Sequence, residues 1–173
     1  MKNLWLVAGA LAAMTVAGAA ARPQSQKDYL SGLESDKIRD AETTNERVKL
    51  FLLFADDRLK KFQYELQHPS ANRHGDILNS LLNGYSGCVD DAADLLQLGI
   101  QKQENIRQGV DLMASQAKAF LEILNKDLAE GPDLELYKSN LEDALEGTHT
   151  AINEAGEARK KVAPPPVRRR NAP

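Results

Sequence analysis

The stretch that decides the fold is Thr43–Gln67, TTNERVKLFLLFADDRLKKFQYELQ. Its apolar residues recur at intervals of three and four, which predicts an amphipathic helix. Thr43 and Glu46 fit a capping box, in which each side chain accepts a hydrogen bond from the other residue's backbone N–H, so we expect the helix to begin there. The buried stripe of this helix is predicted to contain Val48, Phe51, Leu52, Ala55, Leu59, Phe62 and Leu66.

Three more apolar residues, Leu50, Leu53 and Phe54, widen this stripe well beyond one side of the helix. A helix with so wide an apolar face is either central in a bundle or buries a second face against a partner. The sequence therefore predicts either a central position or a protein partner, which includes self-association.

A short helix is predicted before this one, from Gly32 to about Ala41. Ser31 and Glu34 form a second capping box at its start. This helix is expected to bury Leu33 and Ile38.

The next helix follows a loop over residues 68–75, in which Pro, Asn and Gly interrupt the apolar pattern. Asp76 is predicted to cap this helix at its N-terminus. Gly84 and Gly87 lie inside it, where each costs about 1 kcal/mol relative to Ala. Their spacing of three would allow close approach of a neighbouring helix.

Two further breaks are predicted along the chain. Near Gly99 the helix is expected to end with a left-handed glycine, and Asn105 with Gln108 to cap the next helix, although one unbroken helix is the alternative. The segment Gly131–Asp133 is the clearest stop, and the final helix is expected to end before Pro164.

These elements predict an all-α fold, an up-and-down bundle of four longer helices plus one short N-terminal helix. The bundle domain spans residues 31–163. Residues 22–30 are expected to form a flexible N-terminus, and residues 164–173 a disordered tail rich in Pro and Arg.

Residues 1–21 are predicted to be a secretory signal peptide. Lys2 is followed by an apolar stretch and then by small residues up to Ala21, the order that is typical of a cleaved export signal. We expect cleavage after Ala21 and a soluble, exported chain, located in the periplasm or outside the cell. An uncleaved anchor is the alternative, because 18 uncharged residues reach the lower limit of about 17 to 25 for a membrane-spanning helix.

Charge and cysteine content limit the function further. The predicted mature chain is mildly acidic, which does not favour binding to nucleic acid. Cys88 is the single cysteine, so an intramolecular disulfide is excluded. Its position on an apolar stripe predicts a buried thiol rather than a linked dimer.

The sequence contains none of the common catalytic motifs. It has no nucleophile elbow, no Gly-rich phosphate loop, no CxxC and no CxxCH, so we predict a non-enzymatic protein without a cofactor. Met113 and His149 lie equally far from the turn at Gly131, and so fall at one level of an antiparallel pair of helices. They are weak candidates for holding a haem between a Met and a His, while packing in the core is the simpler interpretation of Met113.

A cluster of carboxylates, Asp90, Asp91 and Asp94, is the weak candidate for a metal site. Carboxylate oxygens suit hard cations. The simpler interpretation is a solvated face with Arg58 as its counter-charge.

The tail carries the most basic cluster of the chain, Arg168, Arg169 and Arg170, after three prolines. A stiff proline spacer would hold these residues away from the domain, where they could make weak contact with an anionic envelope surface.

The segment Tyr29–Ala41, YLSGLESDKIRDA, continuing into Asn45–Phe51, NERVKLF, resembles the start of uncharacterised exported bacterial helical proteins. The resemblance covers about a quarter of the chain and implies a bacterial envelope setting, with no activity and no residue roles. The sequence thus predicts an exported, non-enzymatic bundle that acts through a protein or surface partner. The alternatives are a carrier of haem or metal and a chaperone-like holdase.

Overall fold

The computed structural model describes residues 28–162 of the chain, which form five α-helices and no strand. The prediction of an all-α fold with four longer helices and one short one is therefore confirmed. The α-helices are α1 (Gly32–Asp40), α2 (Thr44–Gln67), α3 (His74–Gln101), α4 (Arg107–Ile123) and α5 (Lys138–Lys161). A π-helical turn, Leu124–Leu128, continues α4, and a 3-10 turn, Leu134–Leu136, precedes α5.

The four long helices pack as two antiparallel pairs, α2 with α3 and α4 with α5. Asn45 near the start of α2 hydrogen-bonds to Asn105 and Gly109 at the start of α4, so these two helices run in the same direction. Asn79 of α3 donates to the carbonyl of Leu136 just before α5, and α3 and α5 are likewise parallel neighbours. Helix directions therefore alternate along the chain, but the consecutive helices α3 and α4 are in contact only sparsely.

The core lies between the four helices and is built from large apolar side chains. The largest of those that are fully buried are Tyr85, Tyr137, Phe62, Leu52, Leu59, Leu78, Leu82, Leu96, Ile106, Met113, Leu124 and Leu128. On α2 the wide apolar stripe is divided: Phe54 is buried in the bundle, Leu50 is half-buried, and Leu53 is 55% exposed.

Both predicted capping boxes are present, at Ser31 before α1 and at Thr43 before α2. The prediction that Leu33 is buried is wrong, because this side chain is 76% exposed. The short α1 has no buried residue. Glu34, the residue after Leu33, contacts Arg58 of α2 instead.

The start of α3 corrects a second prediction. The helix begins at His74, two residues before the predicted cap, and Asp76 lies in its first turn. Arg73 occupies the cap position without a side-chain hydrogen bond to the helix. An acidic residue in the first turn is favourable because of the positive end of the helix dipole, so Asp76 marks the start of the helix without capping it.

The predicted break between α3 and α4 is confirmed, but its geometry differs from the prediction. The left-handed residue is Gln103, with φ of 58°, and not Gly99. Gly99 is required for another reason: a Cβ there would lie 2.4 Å from Cγ2 of Ile106, which folds back on the last turn of α3.

The predicted cap of α4 by Asn105 and Gln108 is absent. The start of α4 has no side-chain cap from its own segment. Asn45 of α2 instead accepts a hydrogen bond from the backbone N–H of Gly109 (2.8 Å) and donates one to the carbonyl of Asn105 (2.6 Å). The cap of one helix is thus supplied by another.

The predicted stop at Gly131–Asp133 is confirmed, since it lies between α4 with its π-helical turn and the 3-10 turn before α5. Buried Tyr137 donates its hydroxyl to the carbonyl of Leu128 at 2.9 Å, which connects the two sides of this turn. A Cβ at Gly131 would lie 2.5 Å from that hydroxyl, so the turn requires glycine there.

The predicted signal peptide and the tail with Arg168, Arg169 and Arg170 lie outside the described residues. Of the segment expected to be flexible, residues 28–30 are described, and Leu30 is buried against the core. The packed domain therefore begins before Ser31. Among residues 28–162, every helix is too short or too polar to cross a membrane.

Candidate functional site

Met113 and His149, the candidate haem ligands, differ in their exposure to solvent. Met113 is fully buried in the core, whereas His149 is exposed on α5. Thr148, the neighbour of His149, is buried. It accepts a hydrogen bond from the Tyr85 hydroxyl (2.6 Å) and donates its own to the Ala144 carbonyl (2.6 Å). The polar contact at the centre of the bundle is thus made by Tyr85 and Thr148.

The three aspartates of α3 lie on two sides of the helix, with exposed Asp90 and Asp94 on one side and Asp91 on the other. Asp91 accepts a hydrogen bond from the Tyr29 hydroxyl, Asp90 lies near Gly147 of α5, and Asp94 is exposed. Partial burial, with a smaller contribution from the charge of Asp94, raises the pKa of Asp90 above its ordinary value. Within residues 28–162, no three His, Cys, Asp or Glu side chains are close enough together to hold a metal ion.

Cys88 is fully buried, as the sequence predicts. Arg58, expected as a counter-charge to the aspartates, pairs mainly with Glu34, and its contact with the carboxylate of Asp57 is longer, at 3.3 Å. It is buried at 9% exposure and makes two hydrogen bonds to the carboxylate of Glu34 and one to the carbonyl of Tyr29 (3.0 Å). The guanidinium of Arg58, helped by Ser31, lowers the pKa of Glu34 to about 2 against the opposing effect of burial.

Arg58 thereby fastens an N-terminal arm, residues 28–41, onto the bundle. The ring of Tyr29 lies flat against the backbone of α3, where a Cβ at Gly87 would be 2.7 Å from the ring. At Gly84 the same construction would be 3.4 Å from Cγ of Arg58. The two glycines do allow close approach: Gly84 faces the stem of Arg58 on the neighbouring helix α2, whereas Gly87 faces the ring of Tyr29 in the arm.

A second buried polar cluster lies at the opposite end of α2. The carboxylate of Glu65 accepts hydrogen bonds from the backbone N–H (2.8 Å) and the hydroxyl (3.0 Å) of Ser70, and it lies 2.8 Å from Nδ1 of His74. The contact with His74, followed by those with Ser70, lowers the pKa of Glu65 below its ordinary value. Because an ionised carboxylate only accepts, Nδ1 of His74 carries the proton. Nε2 of His74 lies 3.8 Å from the carboxylate of Asp133.

These contacts close the loop between α2 and α3 and bring it beside the turn before α5. The carboxylate of Glu65 and the N–H and hydroxyl of Ser70 are paired within the fold, whereas Nε2 of His74 is buried without a hydrogen-bond partner among residues 28–162. The cluster is therefore best understood as the structural closure of one end of the bundle.

The outer face of α2, defined here by Leu53, Asp57, Lys60 and Tyr64, is directed away from the bundle. Leu53 is 55% and Tyr64 is 63% exposed, although the opposite face of the same helix is fully buried. The Tyr64 ring stacks on His68 with centroids 4.3 Å apart and an interplanar angle of 21°. This face combines exposed apolar surface with charges of both signs.

Sequence reasoning missed both buried charges of α2, yet the spacing contained a signal. Phe51, Ala55, Arg58, Phe62 and Glu65 follow one another at alternating intervals of four and three, so Arg58 and Glu65 occupy positions of the buried stripe. A charged residue on such a stripe is rarely buried unless it is paired. The partners, Glu34 and His74, are in other segments and could not be identified from α2 alone.

The fold and these contacts define the class of the protein: an all-α bundle of four long helices with a docked N-terminal arm. Comparison with protein-family models, with curated proteins and with solved structures found no match for this chain.

Proposed function

We propose that this chain is an exported, non-enzymatic bundle protein that works by binding another macromolecule with the outer face of α2. The observation that carries this proposal is the exposure of Leu53 and Tyr64 on one line of the helix. They are eleven residues apart, three helical turns, which places them on the same side at a separation of about 16 Å. Scattered single apolar residues are ordinary on a protein surface, whereas an aligned pair on one helix is typical of helix-to-helix recognition.

The polar groups inside the bundle support a binding role rather than a chemical one. Arg58 is engaged by Glu34 and Tyr29, and Glu65 by Ser70 and His74. The Tyr85 hydroxyl is engaged by Thr148. These groups stabilise the fold, so the surface that remains available for recognition is the exterior of the helices.

Export is supported by the leader, with Lys2, the apolar stretch after it and the small residues that end at Ala21. The mass of the protein recovered from the producing cell tests this part. We expect a chain that begins at Arg22, and we expect Leu6→Arg to leave the full-length chain in the cytoplasm. A full-length chain in the wild type would contradict cleavage.

The binding face is tested by a photo-crosslinking amino acid placed at position 53 or position 64 of the protein in its own cells. We expect a discrete crosslinked product from both positions. Matched controls are the exposed α5 positions Glu142 and Thr150, from which we expect no such product. Products of equal yield from α5, or none from α2, would remove the α2 face as the binding surface.

A further inference from the structure

We propose that the macromolecule bound by the outer face of α2 is a second copy of this chain, with the two α2 helices antiparallel and Leu53 opposite the partner's Tyr64. This inference rests on the proposed function, since it names the occupant of the same face.

The residues along the middle of this face follow a coiled-coil spacing. Leu50, Leu53, Asp57, Lys60 and Tyr64 alternate at intervals of three and four, which are the a and d positions of a heptad pattern. Leu50 is half-buried, the side chain of Asp57 is 44% exposed, and that of Lys60 is 70% exposed. These five residues form a seam along the helix, and a helix with such a seam can pack lengthwise against another helix.

An antiparallel arrangement about a twofold axis between Asp57 and Lys60 matches these positions. It places Leu53 opposite the partner's Tyr64, an apolar contact, and Asp57 opposite the partner's Lys60, an opposite-charge contact. The symmetry of a twofold interface repeats both contacts. Just beside the seam, Asp56 falls opposite the partner's Lys61.

Other arrangements of the same two helices bring unfavourable neighbours together. A parallel pair sets Asp57 against the partner's Asp57 and Lys60 against the partner's Lys60, and like charges in an interface oppose binding. Sliding the antiparallel pair by one heptad places Leu53 opposite the partner's Asp57, or Lys60 opposite the partner's Tyr64. A charge that loses water without a partner is unfavourable, so the first register is selected.

Within one chain these charges form exposed pairs that can rearrange. Lys60 is 2.5 Å from Asp56, and Lys61 is 2.6 Å from Asp57. Exposed pairs of this kind contribute little to stability, so exchanging them for contacts across the interface has little energetic consequence. The two symmetry-related contacts between Leu53 and Tyr64 are only three helical turns apart. We therefore expect a small interface and a reversible dimer.

Charge exchange tests the register. Sedimentation velocity of the wild type over a concentration series should show a reversible monomer–dimer equilibrium. Asp57→Lys alone and Lys60→Glu alone should each be monomeric, because each opposes like charges across the interface. Mixing the two variants should restore the dimer, since every introduced charge then meets an opposite one. Circular dichroism spectra should show that both variants stay helical, so that a loss of the dimer is not a loss of the fold.

Disulfide trapping gives an independent measurement. A mixture of Leu53→Cys and Tyr64→Cys chains should form a crosslinked dimer under mild oxidation. Leu53→Cys alone should not, because the two introduced thiols would lie about 16 Å apart along the axis, beyond disulfide reach. Native Cys88 is buried and does not interfere.

A wild type that stays monomeric at every concentration, or Leu53→Cys chains that crosslink alone as fast as the mixture, would overturn the inference. If the protein is monomeric while the photo-crosslinker at positions 53 and 64 still yields a product with a different protein, the inference falls and the proposed function stands. If neither a dimer nor a crosslinked product forms, both fall.

Discussion

The N-terminal arm and the four-helix core are stabilised by different kinds of contact. The arm is held by polar contacts as well as by the buried side chain of Leu30: Arg58 binds Glu34 and the carbonyl of Tyr29, and Tyr29 donates its hydroxyl to Asp91. The core is held by apolar side chains that are buried almost completely. Because ionic hydrogen bonds respond to protonation and apolar burial does not, the arm should be able to detach while the bundle remains folded.

The largest expected effect is on the free energy of unfolding, and it distinguishes a core leucine from a surface leucine. Leu82→Ala removes a fully buried side chain of α3 and should lower the free energy of unfolding by roughly 2 to 5 kcal/mol, because a cavity is left in a closely packed interior. Urea denaturation measures this. Leu53→Ala is the matched control, and we expect a change of about 0.5 kcal/mol or less because Leu53 is exposed. Equal effects would contradict the assignment of the two leucines to different environments.

The next effect concerns the arm alone. Arg58→Ala removes the guanidinium that holds Glu34 and the carbonyl of Tyr29, and should weaken docking of the arm by about 2 kcal/mol. Amide hydrogen exchange should accelerate over residues 28–41 while the middle of α5 stays protected. Lys61→Ala, which breaks an exposed pair on the same helix, should leave exchange of the arm unchanged. An arm that stays protected in Arg58→Ala would show that apolar contacts hold it.

A smaller effect distinguishes the two glycines of α3. Gly87→Ala should displace the Tyr29 ring, because the new Cβ would lie 2.7 Å from it. At Gly84 the nearest atom is 3.4 Å away on the flexible stem of Arg58, so Gly84→Ala should be neutral or should stabilise α3 by up to about 1 kcal/mol through helix propensity. Thermal melts combined with the fluorescence of the tyrosines measure both. Identical behaviour of the two variants would refute docking of Tyr29 at Gly87.

The last effect is a pH dependence of the arm. The pKa of Glu34 is about 2 when it is docked and 4.5 when it is free, so the docked arm is favoured fully above pH 4.5. As the pH falls from 4.5 towards 2, a detached arm binds the proton more readily, and docking weakens. NMR signals of Tyr29 followed over this range should report the change. In Glu34→Gln this titration should disappear, and its persistence would assign the pH dependence to another group.

Much of the fold could be predicted because it depends on local rules. The capping boxes at Ser31 and Thr43 act over three residues, and the stop at Gly131–Asp133 depends on residues that are next to one another. The predictions for Leu33, Asp76 and Gly99 failed where a neighbouring segment decided the outcome. The space beside Gly99, for example, is filled by the side chain of Ile106. The backbone at Gly99 does not adopt the left-handed conformation that was expected at the end of the helix.

The candidate sites were less predictable than the helices. The sequence selected Met113, His149 and the three aspartates by residue type and spacing, and the structure spreads them between the core and different surfaces. The contacts that organise the molecule, such as Arg58 with Glu34, join residues 24 positions apart. Such pairs are formed only when two elements fold onto each other, and periodicity within one element cannot identify the partner.

The sequence by itself determined that this chain is helical, where α2 begins, and that Cys88 is buried, because helical periodicity and capping hydrogen bonds are set within a few residues. Tertiary structure decided that Phe54 is inside while Leu53 is outside, that Asn45 caps a helix 64 residues away, and that Tyr29 rests on Gly87. The reason is physical: the apolar stripe of α2 is wider than one interface, and only the positions of the neighbouring helices determine which part of it stays exposed.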